Sequence, residues 1–129
     1  MAVSSDYKDF IRELLVPFGP VTIRAMFGGA GVYGSTPDGP LMFGLLDDDM
    51  FFLKVDGETR ADFLAEGMEP FSYETKEGRR EMTGYYRAPE RLLDDPDEMK
   101  LWAEKAFDVA RRAAERKKRK HPGRDRRAR

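Results

Sequence analysis

Residues 21–39 read VTIRAMFGGAGVYGSTPDG, and the fold turns on the residues just after the glycines. Within that stretch GAGVYG, Gly29 to Gly34, matches G-x-G-x-x-G letter for letter. The pattern cradles a dinucleotide only where its glycines end a parallel strand and open a helix, whose first-turn amides and dipole receive the pyrophosphate. Here the next residues include Val32, Tyr33, Ser35, Thr36, Pro37 and Asp38, which do not make the first turns of an amphipathic helix. A phosphate loop of the Walker type needs a lysine ahead of the serine, and GAGVYGST has none. Upstream, VTIRAMF alternates: Val21, Ile23, Ala25 and Phe27 point one way and Thr22, Arg24 and Met26 the other, as on a strand with one buried face. The glycines therefore lie between two strands. Gly28, Gly29 and Gly31 permit a tight reversal or a bulge and let a neighbour approach closely. No nucleotide cofactor is expected.

Working outward, Tyr7, Phe10, Ile11, Leu14 and Leu15 recur at helical spacing behind Ser4 and Ser5, either of which suits an N-cap, and Pro17 and Gly19 end that helix. After the turn GSTPDGP, the apolar runs LMFGLL and MFFLKV flank DDD and read as a hairpin. Asp56 is the expected N-cap of a second helix through GETRADFLAEG, with Gly67 as its left-handed stop. PFSYET and REMTGYYRA pair through KEGR. A last helix starts at DPDE, with Asp95 as N-cap, Pro96 at the first position and Glu98 placed for a capping box. Its stripe of Met99, Trp102, Ala103, Ala106, Phe107, Ala110 and Ala113 gives way to charge, so the helix should fray between Ala114 and Lys120. The order α-β(3–4)-α-β(2)-α predicts an α+β fold, a two-layer antiparallel sheet with packed helices.

The 129 residues suit one domain, and no run approaches the ~20 apolar residues needed to cross a bilayer. The N-terminus lacks the basic and apolar regions of a signal peptide, so a cytoplasmic protein with no membrane role is expected. Cysteine is absent, and His121, the single histidine, falls in the charged tail. Thiol and Ser-His catalysis are thereby removed. Asp47, Asp48 and Asp49 lack the interleaved spacing of a calcium loop and read as a turn. No catalytic residue, metal or cofactor is expected, and the chain is read as no enzyme.

Charge divides the chain at its C-terminal end. From Arg111 onward there are 11 Lys or Arg against 2 acids, leaving 12 basic and 22 acidic residues in the first 110. A domain over residues 1–114 is expected to carry a basic, disordered tail over 115–129, whose cations are Arg116, Lys117, Lys118, Arg119, Lys120, Arg124, Arg126, Arg127 and Arg129. Two readings of the tail stand side by side. It neutralises phosphates and binds nucleic acid without sequence preference, since it has no aromatic residue to stack on a base; or it is solvated and folds back on the acidic body.

Two cations interrupt apolar strands, Arg24 between Ile23 and Ala25, and Lys54 between Leu53 and Val55. Alternation sets both opposite the core. They are either simply solvated or they build, with Tyr85 and Tyr86, a polar-aromatic patch that takes a partner peptide or an acidic group. The Met and Phe residues of the same strands serve mostly as core, with a dimer or partner surface for the remainder.

VTIRAMFGGAGVYG, FGLLDDDMFFLKVD, TRADFLAEGMEPFSYE, MTGYYRAPERLLDD and LWAEKAFDVARRA together resemble the N-terminal domain of the TfoX/Sxy proteins, in the same order from about Tyr7 to Ala114. The resemblance implies a small α+β domain of secretion-chaperone-like topology. It also implies a bacterial regulatory role in natural competence, in which full-length members act as co-activators beside a transcription factor and carry a second, helical domain. Here the basic tail stands where that domain would begin. The expectation is a cytoplasmic regulatory or adaptor domain that works by protein contacts, the partner being a transcription factor or the transcription machinery, with auxiliary nucleic-acid affinity. The alternative is a chaperone-like or homodimeric scaffold that holds a peptide on its sheet.

Overall fold

The computed structural model describes residues 3–120. The elements run α1 (Ser5–Leu14), β1 (Thr22–Met26), β2 (Gly29–Thr36), β3 (Gly39–Asp47), β4 (Met50–Lys54), α2 (Arg60–Ala65), β5 (Pro70–Thr75), β6 (Gly78–Arg87), a 3-10 turn (Glu90–Asp94) and α3 (Pro96–Lys120). Every strand pairing is antiparallel, in one six-stranded sheet ordered β1-β2-β3-β4-β6-β5. The fold is α+β with helices packed on an open sheet.

Two hairpin turns at one end of the sheet share a rule. Phe27 and Gly28 link β1 to β2 with φ of 48° and 82°, and Asp48 and Asp49 link β3 to β4 with φ of 53° each. Positive φ at both central residues matches the twist of the flanking strands. Glycine and aspartate accept that conformation readily, whereas a phenylalanine there is uncommon. The alternation of VTIRAMF sets Phe27 on the buried side of a strand; it sits in the turn instead, 98% exposed. Ala25 is exposed too, so Val21 and Ile23 alone face the core from this segment. The DDD turn also ties down α1. Ser4 caps the helix by accepting from the Tyr7 amide at 3.1 Å, while its own amide and hydroxyl donate to the Asp49 carboxylate at 2.9 and 3.1 Å.

One face of the sheet holds the main core. Ala30, Val32, Phe43, Leu46, Phe51, Leu53 and Tyr86 meet Ile11 and Leu14 of α1, Phe63 of α2, Leu92, and Met99, Ala103, Ala106 and Ala110 of α3. The alanines bring α3 close to the strands. A bulge at Val32/Tyr33 lets Phe43 turn inward, where it meets Phe18 and Phe107 with ring centroids 4.9 and 5.7 Å away. Gly34 gives Phe107 its room, since a Cβ there would lie 2.7 Å from the ring.

The helix ends differ from expectation in three places. Asp56 does not cap α2 directly: its carboxylate accepts from the amides of Glu58 and Thr59 at 3.0 and 3.2 Å, making a turn, and α2 starts at Arg60. Asp95 does cap α3, accepting from the Glu98 amide at 3.1 Å, but the Glu98 carboxylate turns to Arg91 at 2.9 Å and Trp102 at 3.4 Å and closes no capping box. Finally, α3 runs to Lys120 without the expected fraying after Ala114. Its last buried residue among those described is Ala110, and the overhang beyond is tied back by Arg112 to Asp56 at 2.8 Å and Lys118 to Asp38 at 3.2 Å.

Candidate functional site

Among the described residues, no helix covers the second face of the sheet. Its own small cluster is Leu45, Phe52 and Tyr85, flanked by Met42, Met50 and Phe71, and every member comes from a strand. Phe71 leans from β5 onto Phe52, edge to face at 5.1 Å, and continues into Tyr73 at 6.0 Å, so the apolar surface extends along the β5–β6 ribbon. Tyr73 and Met82 on that ribbon are exposed.

Arg24 and Lys54 both lie on this face, each over an aromatic ring. The Arg24 guanidinium is 5.3 Å from the centre of Tyr33, and the Lys54 ammonium is 5.0 Å from the centre of Tyr85. Both distances fall inside the ~6 Å range of cation–π attraction. Strand pairing explains the Lys54 seat directly, because Lys54 stands opposite Tyr85 across β4 and β6. The neighbouring pair, Leu53 and Tyr86, must then point the other way. Tyr86 is accordingly in the main core, 6.0 Å from Phe63 ring to ring, and its expected place in the patch is corrected. Tyr33 takes that place. The signal was present in the register: Arg24 pairs with Gly31, whose missing side chain leaves the space that Tyr33, Met26 and Met42 fill at 3.0–3.1 Å from where a Cβ would sit.

The other two glycines have separate duties. Gly28 supplies positive φ in the hairpin turn, and Gly29 lies so close to the Leu46 carbonyl that no Cβ fits. The hollow beside them, about 390 Å³, is lined by Val3, Lys8 and residues 25–29, with Lys8, among the described residues, its one ionisable side chain.

Burial marks the Lys54 seat. Burial pushes the Tyr85 hydroxyl up to about 12, with a smaller contribution from Tyr33. Burial likewise lowers the Lys54 ammonium below the usual lysine range, helped by Arg116, while Asp56 pulls the other way. At Asp56, burial alone would raise the carboxyl; the Arg112 hydrogen bond and charge and the Glu58 and Thr59 amides outweigh it and hold the group below its ordinary value.

Of the basic tail, Arg116, Lys117, Lys118 and Arg119 ride the exposed overhang of α3. With the Thr36–Leu41 turn they line a broad groove of about 970 Å³. The side chain of Lys120, and Arg124, Arg126, Arg127 and Arg129, lie outside the described residues.

Residues 13–110 match the family model of the TfoX N-terminal domain, more than half of the chain. The chain belongs to that family. No curated protein matches it. The TfoX N-terminal match takes in all six strands and stops at Ala110, the last buried residue of α3, so the basic overhang lies outside it. Both cation seats lie within it. None of the helices in the described residues is long and apolar enough to cross a membrane, and no cluster of three metal-ligating side chains is found among them.

Proposed function

We propose that this TfoX N-terminal domain is a non-enzymatic regulatory or adaptor module of the cytoplasm. It acts by presenting the helix-free face of its sheet to a protein partner, a transcription factor or the transcription machinery. The observation that carries this reading is the helix-free face itself, where two cations are held over tyrosines beside half-buried methionines. The overhang of α3 adds salt-sensitive, sequence-independent affinity for nucleic acid, weakened because Arg112 and Lys118 already pair with body acids.

A second reading draws on the same face. A secretion-chaperone-like scaffold, monomeric or dimeric, would use those methionines to hold an extended client. Photo-crosslinking separates the two. A benzophenone amino acid at Met42, on the open face, is compared in cells with one at Leu101, exposed on α3. Adducts specific to position 42 that contain transcription proteins support the regulatory reading. Self-adducts or secreted clients favour the scaffold, and adducts no different from those at Leu101 sink both.

A further inference from the structure

We propose that the open face is a seat for an acidic peptide segment, its carboxylates held at two stations, Arg24 and Lys54, and its apolar side chains lying between them against the half-buried Met42. The inference rests on the reading that this face meets a protein partner, and adds that partner's chemistry.

The stations are cations that close no ion pair in a body rich in acids, Asp56 acting on Lys54 only at longer range. Among the described residues, Arg12, Arg79, Arg80, Arg87, Arg91 and Arg112 each hold a carboxylate. Arg24 and Lys54 hold only a ring apiece; Lys8, Arg60 and Lys100 also make no ion pair among the described residues, but none of them is seated over a ring. With 22 acids against 12 bases in the first 110 residues, lack of acids does not explain the difference. Arg24 on β1 and Lys54 on β4 are three strands apart and two residues out of line, roughly 16 Å, a span that about five residues of extended chain cover.

Other occupants fit less well. A second copy seated on the same face about a two-fold axis would set cations against cations. A nucleic-acid strand would want bare aromatic rings for its bases, and here the rings of Tyr33 and Tyr85 are already covered by cations. Its phosphates would also run on over an acidic body.

The test uses the full chain carrying ¹³C-methyl methionine and a short probe peptide alternating Asp with Phe and Leu, beside the same peptide with Asn for Asp. Binding should move the methyls of Met26, Met42 and Met50 and leave Met68 and Met99, on the covered side, in place. Lys54→Gln and Arg24→Gln should each weaken the acidic peptide about tenfold, Lys54→Arg should restore it, and the Asn peptide should bind no better than to the Gln variants. Equal binding of the two peptides, unchanged affinity in both Gln variants, shifts spread over both faces, or displacement of the peptide by duplex DNA would each overturn the proposal. Specific adducts from position 42 without acidic-peptide binding would leave the adaptor reading standing and remove only this inference.

Discussion

The two faces of the sheet are made from alternate residues of the same strands, yet among the described residues one is closed by three helices and the other by its own side chains. Leu45 and Leu46 show the difference at its smallest. They are adjacent in β3 and identical in chemistry; Leu46 is sealed beneath the helices, and Leu45 rests in a three-residue cluster of strand side chains. The comparison teaches that burial within a layer is not the same as burial between layers. Both leucines are nearly inaccessible to water, but only Leu46 is enclosed by rigid neighbours on every side. Truncation should separate them. Leu46→Ala is expected to cost about 3–4 kcal/mol, because helices and strands cannot close the void, and Leu45→Ala about 1–2, because Met42, Met50 and Phe71 can settle into the gap. Urea unfolding of the two variants measures this, and equal losses would mean that the open face is a second core.

Glycines give the same contrast in the opposite sense, by adding atoms. A Cβ at Gly44 would lie 2.9 Å from the Phe51 ring and 3.2 Å from Val32, on the covered face. One at Gly31 would meet the thioethers of Met26 and Met42 at 3.1 Å and the edge of Tyr33 at 3.0 Å, on the open face. Gly44→Ala should therefore destabilise by about 1–3 kcal/mol, and Gly31→Ala by less than about 1, since flexible methionines move aside. If Gly31→Ala proves the costlier change, the methionine side chains are locked and the open face is less adaptable than its composition implies.

Most of this architecture is legible in the sequence, and the errors fall where the alternation breaks. Element order and class come from hairpin spacing and the absence of a helix after GAGVYG, whereas the pairing of β4 with β6 does not. Period two sets Arg24 and Lys54 opposite the core, and they lie there. Grouping Tyr86 with Tyr85 fails because consecutive residues of a strand cannot share a face, and Tyr33 escapes notice because its partner on β1 depends on register. Register is a long-range property, fixed here by turns of two residues. Phe27 is misplaced for the same reason: nothing in VTIRAMF marks the last phenylalanine as turn rather than strand. Helix ends err in both directions, since α3 persists on ion pairs to Asp56 and Asp38 that lie 56 and 80 residues away in sequence.

Alkaline pH probes each face through one tyrosine. Burial pushes both Tyr7, which packs against the main core, and Tyr85 up to about 12. In the unfolded chain both ionise near pH 10. A raised acid holds its proton longer when folded, so this contribution is whole below pH 10 and is lost as pH climbs from 10 towards 12. Unfolding free energy should fall through that window. Tyr85→Phe should flatten the slope without touching Tyr7, and the tyrosinate absorbance of the folded variant should retain one late-titrating group fewer. A slope unchanged by Tyr85→Phe would show that water reaches that hydroxyl and that the open face is wetter than the packing implies.

The smallest expected effect lies at a residue that belongs to neither face. Phe27 holds a left-handed backbone at φ 48° and buries almost nothing of its ring. Asparagine favours that conformation and, followed by Gly28, makes the preferred pair for this turn. Phe27→Asn should then raise stability by roughly 0.5–1 kcal/mol, seen as a small increase in Tm, because no packing is lost and strain is relieved. The comparison of faces sharpens here. If the variant is more stable and still moves the open-face methionine methyls on adding the acidic probe, the turn acts only as a hinge between β1 and β2. If it is more stable but binds the probe less well, the exposed ring is itself a contact, and the seat extends past Arg24 to the tip of the hairpin.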